Sequence, residues 1–174
     1  VDTPEAAVMI GSIFVEKVLP NEKFSLGIDY VPYALESETS NHEQEDIQAG
    51  ELESGKSTVD QKVQVDFENL LTVYAKLNFT DNVYLKAGYM QVEAVTNESL
   101  GTGASYGDKT LDGMTLGLGY ELDMDNGAFV RLEGNWMELG GETFTATGTD
   151  TDSLSVVVDD IDGYGARVSI GRSF

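Results

Sequence analysis

From residue 63 to residue 79 apolar and polar side chains alternate almost without a break. Val63, Val65, Phe67, Leu71, Val73, Ala75, Leu77 and Phe79 take one side, interrupted by Asn69. Gln64, Asp66, Glu68, Thr72, Tyr74, Lys76 and Asn78 take the other, with Leu70 the exception. Successive side chains of a β-strand point to opposite faces, so a period of two marks a strand with one apolar and one polar face. The run far exceeds the usual strand of about five or six residues.

The same pattern returns along the chain. Met114, Leu116, Leu118, Tyr120 and Leu122 alternate with Gly113, Thr115, Gly117, Gly119 and Glu121. Ala128, Val130, Leu132, Gly134 and Trp136 oppose Phe129, Arg131, Glu133 and Asn135; Tyr164, Ala166, Val168, Ile170 and Phe174 oppose Gly165, Arg167, Ser169, Gly171 and Ser173. Phe24, Leu26, Ile28 and Tyr30 oppose Ser25, Gly27 and Asp29. In 83–94 the alternation starts with Val83, Leu85, Ala87 and Tyr89 and loses register near Met90 and Gln91, which predicts a bulge there. In 7–18 both faces are apolar, with Ser12 and Glu16 marking the polar side. The pattern predicts seven strands, at about 7–18, 23–35, 62–78, 83–95, 111–122, 128–139 and 163–174.

Short and long connections alternate between these strands. Leu19 to Glu22, Thr80 to Asn82 and Asp123 to Gly127 are turn-like. The others are long, at about 36–61, 96–112 and 140–162. These three hold 17 acidic residues against two lysines, Lys56 and Lys109, and so carry −15 of the chain's −21. Short turns on one side and long loops on the other are the asymmetry of an antiparallel up-and-down transmembrane β-barrel. Single-chain bacterial barrels have an even strand count and periplasmic termini. Seven strands counted back from a periplasmic Phe174 therefore predict an eighth strand ahead of Val1, with Val1 to Glu5 in an outer loop. Leu154 to Val158 is the alternative eighth strand.

A soluble barrel of the lipocalin kind alternates too, with its apolar face inward. Three features favour lipid outside. Glycines gather on the polar face, where a narrow interior needs small residues. That face also carries charges that can pair: Asp29, Asp66, Glu68, Glu121 and Glu133 with Lys76, Lys86, Arg131 and Arg167. Aromatic residues of the apolar face sit near strand ends, as two interfacial girdles would. Phe24, Phe79, Tyr120 and Phe174 lie on the turn side; Tyr30, Tyr89, Trp136 and Tyr164 lie on the loop side.

Composition narrows the function classes. The absence of cysteine excludes a disulfide scaffold, a thiolate metal site and a cysteine nucleophile. A net charge of −21 argues against nucleic acid as a partner. No apolar run is long enough for a membrane-spanning helix.

The terminal strand, with Tyr164, Ala166, Val168 and Ile170 on one face and Phe174 at the end, resembles the assembly signal of outer-membrane barrels, although Arg172 departs from the usual apolar residue. The whole chain is similar to small Gram-negative outer-membrane barrels of the OmpA, OmpX and OmpW kind. Phe67 to Lys76 and Tyr84 to Gly88 also resemble barrels of marine alphaproteobacteria of the Pelagibacter kind. The resemblance implies an eight-stranded barrel in the cell outer membrane, with lipid, lipopolysaccharide and the barrel assembly machinery as partners. Its long loops would be extracellular and its C-terminus periplasmic.

The remaining motifs are weaker. Gly50 to Ser57 matches a phosphate-binding loop literally, but lacks the preceding buried strand and following helix, and Glu51 and Glu53 would repel phosphate. Asp123 to Gly127 resembles the start of a calcium loop without its closing Glu and reads as a hairpin turn. Asp159, Asp160 and Asp162 are a candidate loop site for Ca²⁺ or Mg²⁺, against the simpler reading of a solvated acidic loop. His42 is the only histidine, so no triad is evident, and the sequence predicts no enzyme and no cofactor. The expected role is a structural, surface-exposed outer-membrane protein with a side-chain-filled, charge-paired lumen. The alternatives are a porin-like channel for small solutes or cations, a loop surface for adhesion or phage, and a soluble lipocalin-like binding barrel.

Overall fold

The computed structural model describes residues 9–32, 35–36, 40–46, 57–100, 105–147 and 155–173. Among them the chain is all β and antiparallel. Seven strands form the main sheet: β1 (Ile13–Val18), β2 (Phe24–Val31), β5 (Ser57–Asn78), β6 (Val83–Leu100), β8 (Lys109–Asp123), β9 (Ala128–Leu139) and β12 (Ile161–Arg172). Each pairs with the next in this order, leaving β1 and β12 as edges that no backbone ladder joins among the described residues. The sheet is therefore not closed.

The three tight turns form as their sequences dictate. Asn21 accepts from the amides of Lys23 and Phe24, each at 3.2 Å, and Glu22 adopts φ 57°. Thr80 accepts from Asn82 and Val83 amides at 3.3 and 2.9 Å. Gly127 takes φ 80° to close the β8–β9 turn, where Asn126 accepts from Ala128 at 3.0 Å. Asn82 and Glu121 bond through their backbones, as do Gly127 and Ser173, so turns and C-terminal end share one side of the sheet.

The long connections are more ordered than alternation predicts. β3 (Leu35–Glu36) and β4 (Ser40–Asp46) pair with the extended β5, and His42 lies in that ladder opposite Gln61. β7 (Ser105–Tyr106), β10 (Glu142–Thr147) and β11 (Ser155–Val158) form a separate three-stranded sheet in the order β11-β10-β7. The run expected as an alternative eighth strand thus forms a strand, but on β10 rather than on the main sheet. The first strand begins at Ile13, since Met9 to Ser12 have no ladder partner. Val1 to Glu5 and most of the 50–57 loop motif lie outside the described residues.

The bulge lies on β5, not on β6. Asn69 adopts φ 55°, and between Glu68 and Leu71 the register shifts so that three steps on β5 match two on β6. Asn69 is held there by the Tyr30 hydroxyl at 2.7 Å and by its own amide on Glu93 at 2.8 Å. Along β6 the inner face stays with Tyr84, Lys86, Met90, Val92 and Ala94, all buried. What changes near Met90 is the polarity of each face, which in the sequence looks like a slip.

Candidate functional site

The concave face of the sheet gathers ionised side chains that are far apart in sequence. Arg131 on β9 donates to both oxygens of Glu16 on β1, at 2.9 and 3.0 Å, and to Glu121 on β8. Lys76 on β5 lies 3.0 Å from Glu16 and 3.2 Å from Glu121. The Tyr74 hydroxyl donates to Glu16 at 3.1 Å. Lys86 on β6 pairs with Glu133 on β9, which also accepts from Tyr84 at 2.8 Å. Arg167 on β12 pairs with Asp29 on β2 and donates to the Ser12 hydroxyl at 2.7 Å. Contacts between strands so remote in the sheet require it to curl, which makes this face an interior.

Burial is deep where charge is highest: Lys76 is 2% exposed, Glu133 4% and Arg131 7%. Four bases meet four acids, so the network is neutral and each desolvated ion has a hydrogen-bonded counterion. Aromatic faces complete the lining. Arg131 sits 4.5 Å from the Phe129 ring centre, Lys76 5.1 Å from that of Tyr84 and Lys86 5.2 Å from that of Tyr74.

Glycine makes room for these rings. Gly27, Gly119 and Gly171 stand directly opposite Tyr74, Tyr84 and Phe129 in the ladder, and a β-carbon on any of them would fall within the facing ring. The cavity left at the centre is about 10 Å³, no more than one water molecule needs.

The expected interior set is brought together for Asp29, Lys76, Lys86, Glu121, Arg131, Glu133 and Arg167. Asp66 and Glu68 are corrected: the bulge turns them onto the face of Glu93, where Asp66 bonds Gln64 and Asn97. Ser12, Glu16, Tyr74 and Tyr84 belong to the network as well, although the expected set did not include them. Glu16 was visible on the polar side of a mostly apolar strand, but its partners lie too far along the chain for any local pattern to reveal.

The convex face is the reverse. Leu118 and Leu132 are each 60% exposed, Val168 70% and Ile170 77%, with Ile13, Val15, Leu26, Ile28, Val73 and Leu116 alongside. At its loop-side border stand Tyr30, Tyr89 and Tyr164, with Trp136 paired directly to Tyr164; on the turn side Phe24, Phe79 and Tyr120 are exposed. Phe174 lies outside the described residues. The apolar residues of the terminal strand, Tyr164, Ala166, Val168 and Ile170, all lie on this face and are exposed.

At the loop-side border both faces invert together. Beyond it the convex face carries Glu68, Gln91, Glu93, Asp112 and Glu138, with Gln91 donating to Asp112 at 3.1 Å. Hydrogen bonds from Tyr89 and Gln91 hold the Asp112 carboxyl below its ordinary range. The concave face becomes apolar at the same level: Val92, Ala94, Leu111 and Phe144 form a buried cluster, with Val65, Phe67 and Leu139 packed against it. Phe144 comes from β10, so the small outer sheet caps the charged interior with a conventional hydrophobic core.

No group of three metal-ligating side chains assembles among the described residues. Asp160 accepts from the Gly141 amide at 2.7 Å, tying β10 to the entry of β12, and Asp159 and Asp162 do not converge with it. Comparison with family models, with curated proteins and with solved structures gave no match.

Proposed function

We propose that this chain is an integral outer-membrane β-barrel protein with a structural, surface-exposed role and a lumen filled by paired charges. The observation that carries this reading is the inversion of both faces at a single level. Below it apolar side chains point outward and ions inward; above it the order is that of a water-soluble protein. A wall in one solvent throughout has no reason to invert. A wall that leaves hydrocarbon and enters water does.

The dimensions agree. From Met114 to Leu122 the outward residues of β8, Met114, Leu116, Leu118, Tyr120 and Leu122, are all apolar or aromatic. At about 3.4 Å per residue the span is roughly 27 Å along a strand, which a barrel tilt reduces to the order of the usual apolar band. In this reading the turns and the end of β12 are periplasmic, and the acidic connections with their small sheet are extracellular. Lipid and lipopolysaccharide are the immediate partners, and the barrel assembly machinery inserts the chain. The ion-paired interior and the apolar cap favour a wall over a porin-like channel.

Trp136 is the only tryptophan and lies on the convex face at the loop-side border. Its fluorescence should be quenched by brominated lipids in reconstituted vesicles, most strongly with bromines near the headgroup end of the acyl chain. Unquenched emission from folded protein in the presence of such vesicles would overturn the proposal.

A further inference from the structure

The ion pairs formed among the described residues engage Lys76, Lys86, Lys109, Arg131 and Arg167, whereas Lys17, Lys23 and Arg172 take part in none of them. These unpaired bases all lie on the turn side. Lys17 stands one residue before the end of β1, Lys23 in the turn that follows, and Arg172 at the end of β12. Arg172 is also the residue that departs from the apolar pattern of the terminal strand.

Lys17 and Arg172 belong to the convex face. Lys17 stands opposite exposed Leu26 and continues the outward series of Ile13 and Val15, while Glu16 beside it turns inward to Arg131. Arg172 continues Val168 and Ile170, with Gly171 beside it turned toward Phe129, and its ladder partner is the short Ala128. Both bases are exposed, and both border the opening between β1 and β12. The acids of this side are placed elsewhere: Glu22, Asp81 and Asp125 in the tight turns, and Asp123 in the concave alternation of β8.

The other border of the convex face has the opposite sign. Glu68, Glu93, Asp112 and Glu138 stand there, and Glu138 pairs directly with Asp162. A long base at a hydrocarbon edge can reach water on its own. That explains one such residue, but not two on the strands flanking a single opening with no carboxylate brought to them. A phosphodiester supplies the counterion, since its oxygens accept from a guanidinium in bidentate fashion and from an ammonium as a point charge.

We propose that Lys17 and Arg172 bind the phosphate of an anionic phospholipid in the turn-side leaflet, with its acyl chains over Ile13, Val15, Val168 and Ile170. Those four exposed residues lie on the same two strands, on the loop side of the bases. The favoured headgroup carries net negative charge, because a choline or ethanolamine group would return a cation to a place that already holds two. At the loop-side border the same lipid would meet carboxylates, so the charges also fix which leaflet it comes from. The placement of the acyl chains rests on the membrane reading; the headgroup preference rests on the two bases.

The test offers the chain, refolded in detergent, equal amounts of phosphatidylglycerol and phosphatidylcholine with identical acyl chains, and counts the lipid retained in native mass spectra. Phosphatidylglycerol is expected in about fivefold excess or more, and Lys17→Gln with Arg172→Gln should bring the ratio to about one. Lys17→Arg with Arg172→Lys should keep the excess, and Glu138→Gln should leave it as it was. In the unaltered chain the excess should shrink as salt is raised, since exposed charges are screened. Equal retention by the unaltered chain would overturn the site, as would an excess indifferent to salt or one that survives neutralisation of both bases. An excess abolished by inorganic phosphate would assign the bases to a free anion, and a lipid-free dimer would place a second copy over them; either outcome overturns the lipid. The salt series needs no substitution and so decides the matter even where a variant misfolds. Trp136 quenching without headgroup preference removes the lipid site alone, and preference in detergent without quenching in vesicles removes the membrane reading alone.

Discussion

Among the described residues Glu16 holds together more of the interior than any other carboxylate, since Arg131, Lys76 and Tyr74 all converge on it. Removing one partner of a buried pair leaves the other ion uncompensated, so Arg131→Met is expected to cost about 3–5 kcal/mol. A lowered urea midpoint for unfolding from vesicles would report it. Adding Glu16→Gln should cost less than the sum of the two single changes, because the groups act as one network; additive losses would show independence. Gly119→Val drives a side chain into the Tyr84 ring and is expected to cost about 1–3 kcal/mol, with Tyr84→Ala in the same chain recovering part of it. The polarity of Glu16 was legible in the sequence, and so was the concentration of glycine on the inner face. Which glycine faces which ring was not, because that depends on register between strands.

Alternation located all seven long strands, since a strand with one greasy face can be read from its own residues. It mislocated the bulge because the sequence of β5 hides it. Val65, Phe67, Leu71 and Val73 are all odd-numbered and apolar, yet the extra residue at Asn69 turns the first two inward and the last two outward. Of the outer strands only β11 was expected, as an alternative eighth strand of the main sheet, while β3, β4, β7 and β10 were missed, because they are short or mostly polar. Asn69→Val forces a β-branched residue into positive φ and removes two hydrogen bonds. It is expected to lower stability by about 1–3 kcal/mol, while Asn69→Gly, which tolerates the backbone, should lose less in the same unfolding assay. Phe144 pins β10 to the cluster above the charged interior. Phe144→Ala should speed amide exchange in β10 and β11 while the exchange of β5 and β9 stays unchanged; a uniform change would mean that cap and wall unfold as one unit.

At the scale of the whole molecule, the described residues leave a space of about 10 Å³ at the centre of the concave face, with an apolar cap above it. The chain reconstituted in planar bilayers is therefore expected to give no steady ion current. A stable conductance from the unaltered protein would point to the channel reading instead.

The level at which Asn69 reverses the faces of β5 also has a consequence for where such a protein can reside. It sets the height of the greasy girdle independently of how far the strands extend past it, since β5 runs 22 residues and continues well beyond the reversal. Moving the extra residue two positions toward Asn78 would shorten that girdle without shortening the strand. Matching between girdle and acyl-chain length would then favour thinner lipid, such as short-chain over long-chain phosphatidylcholine.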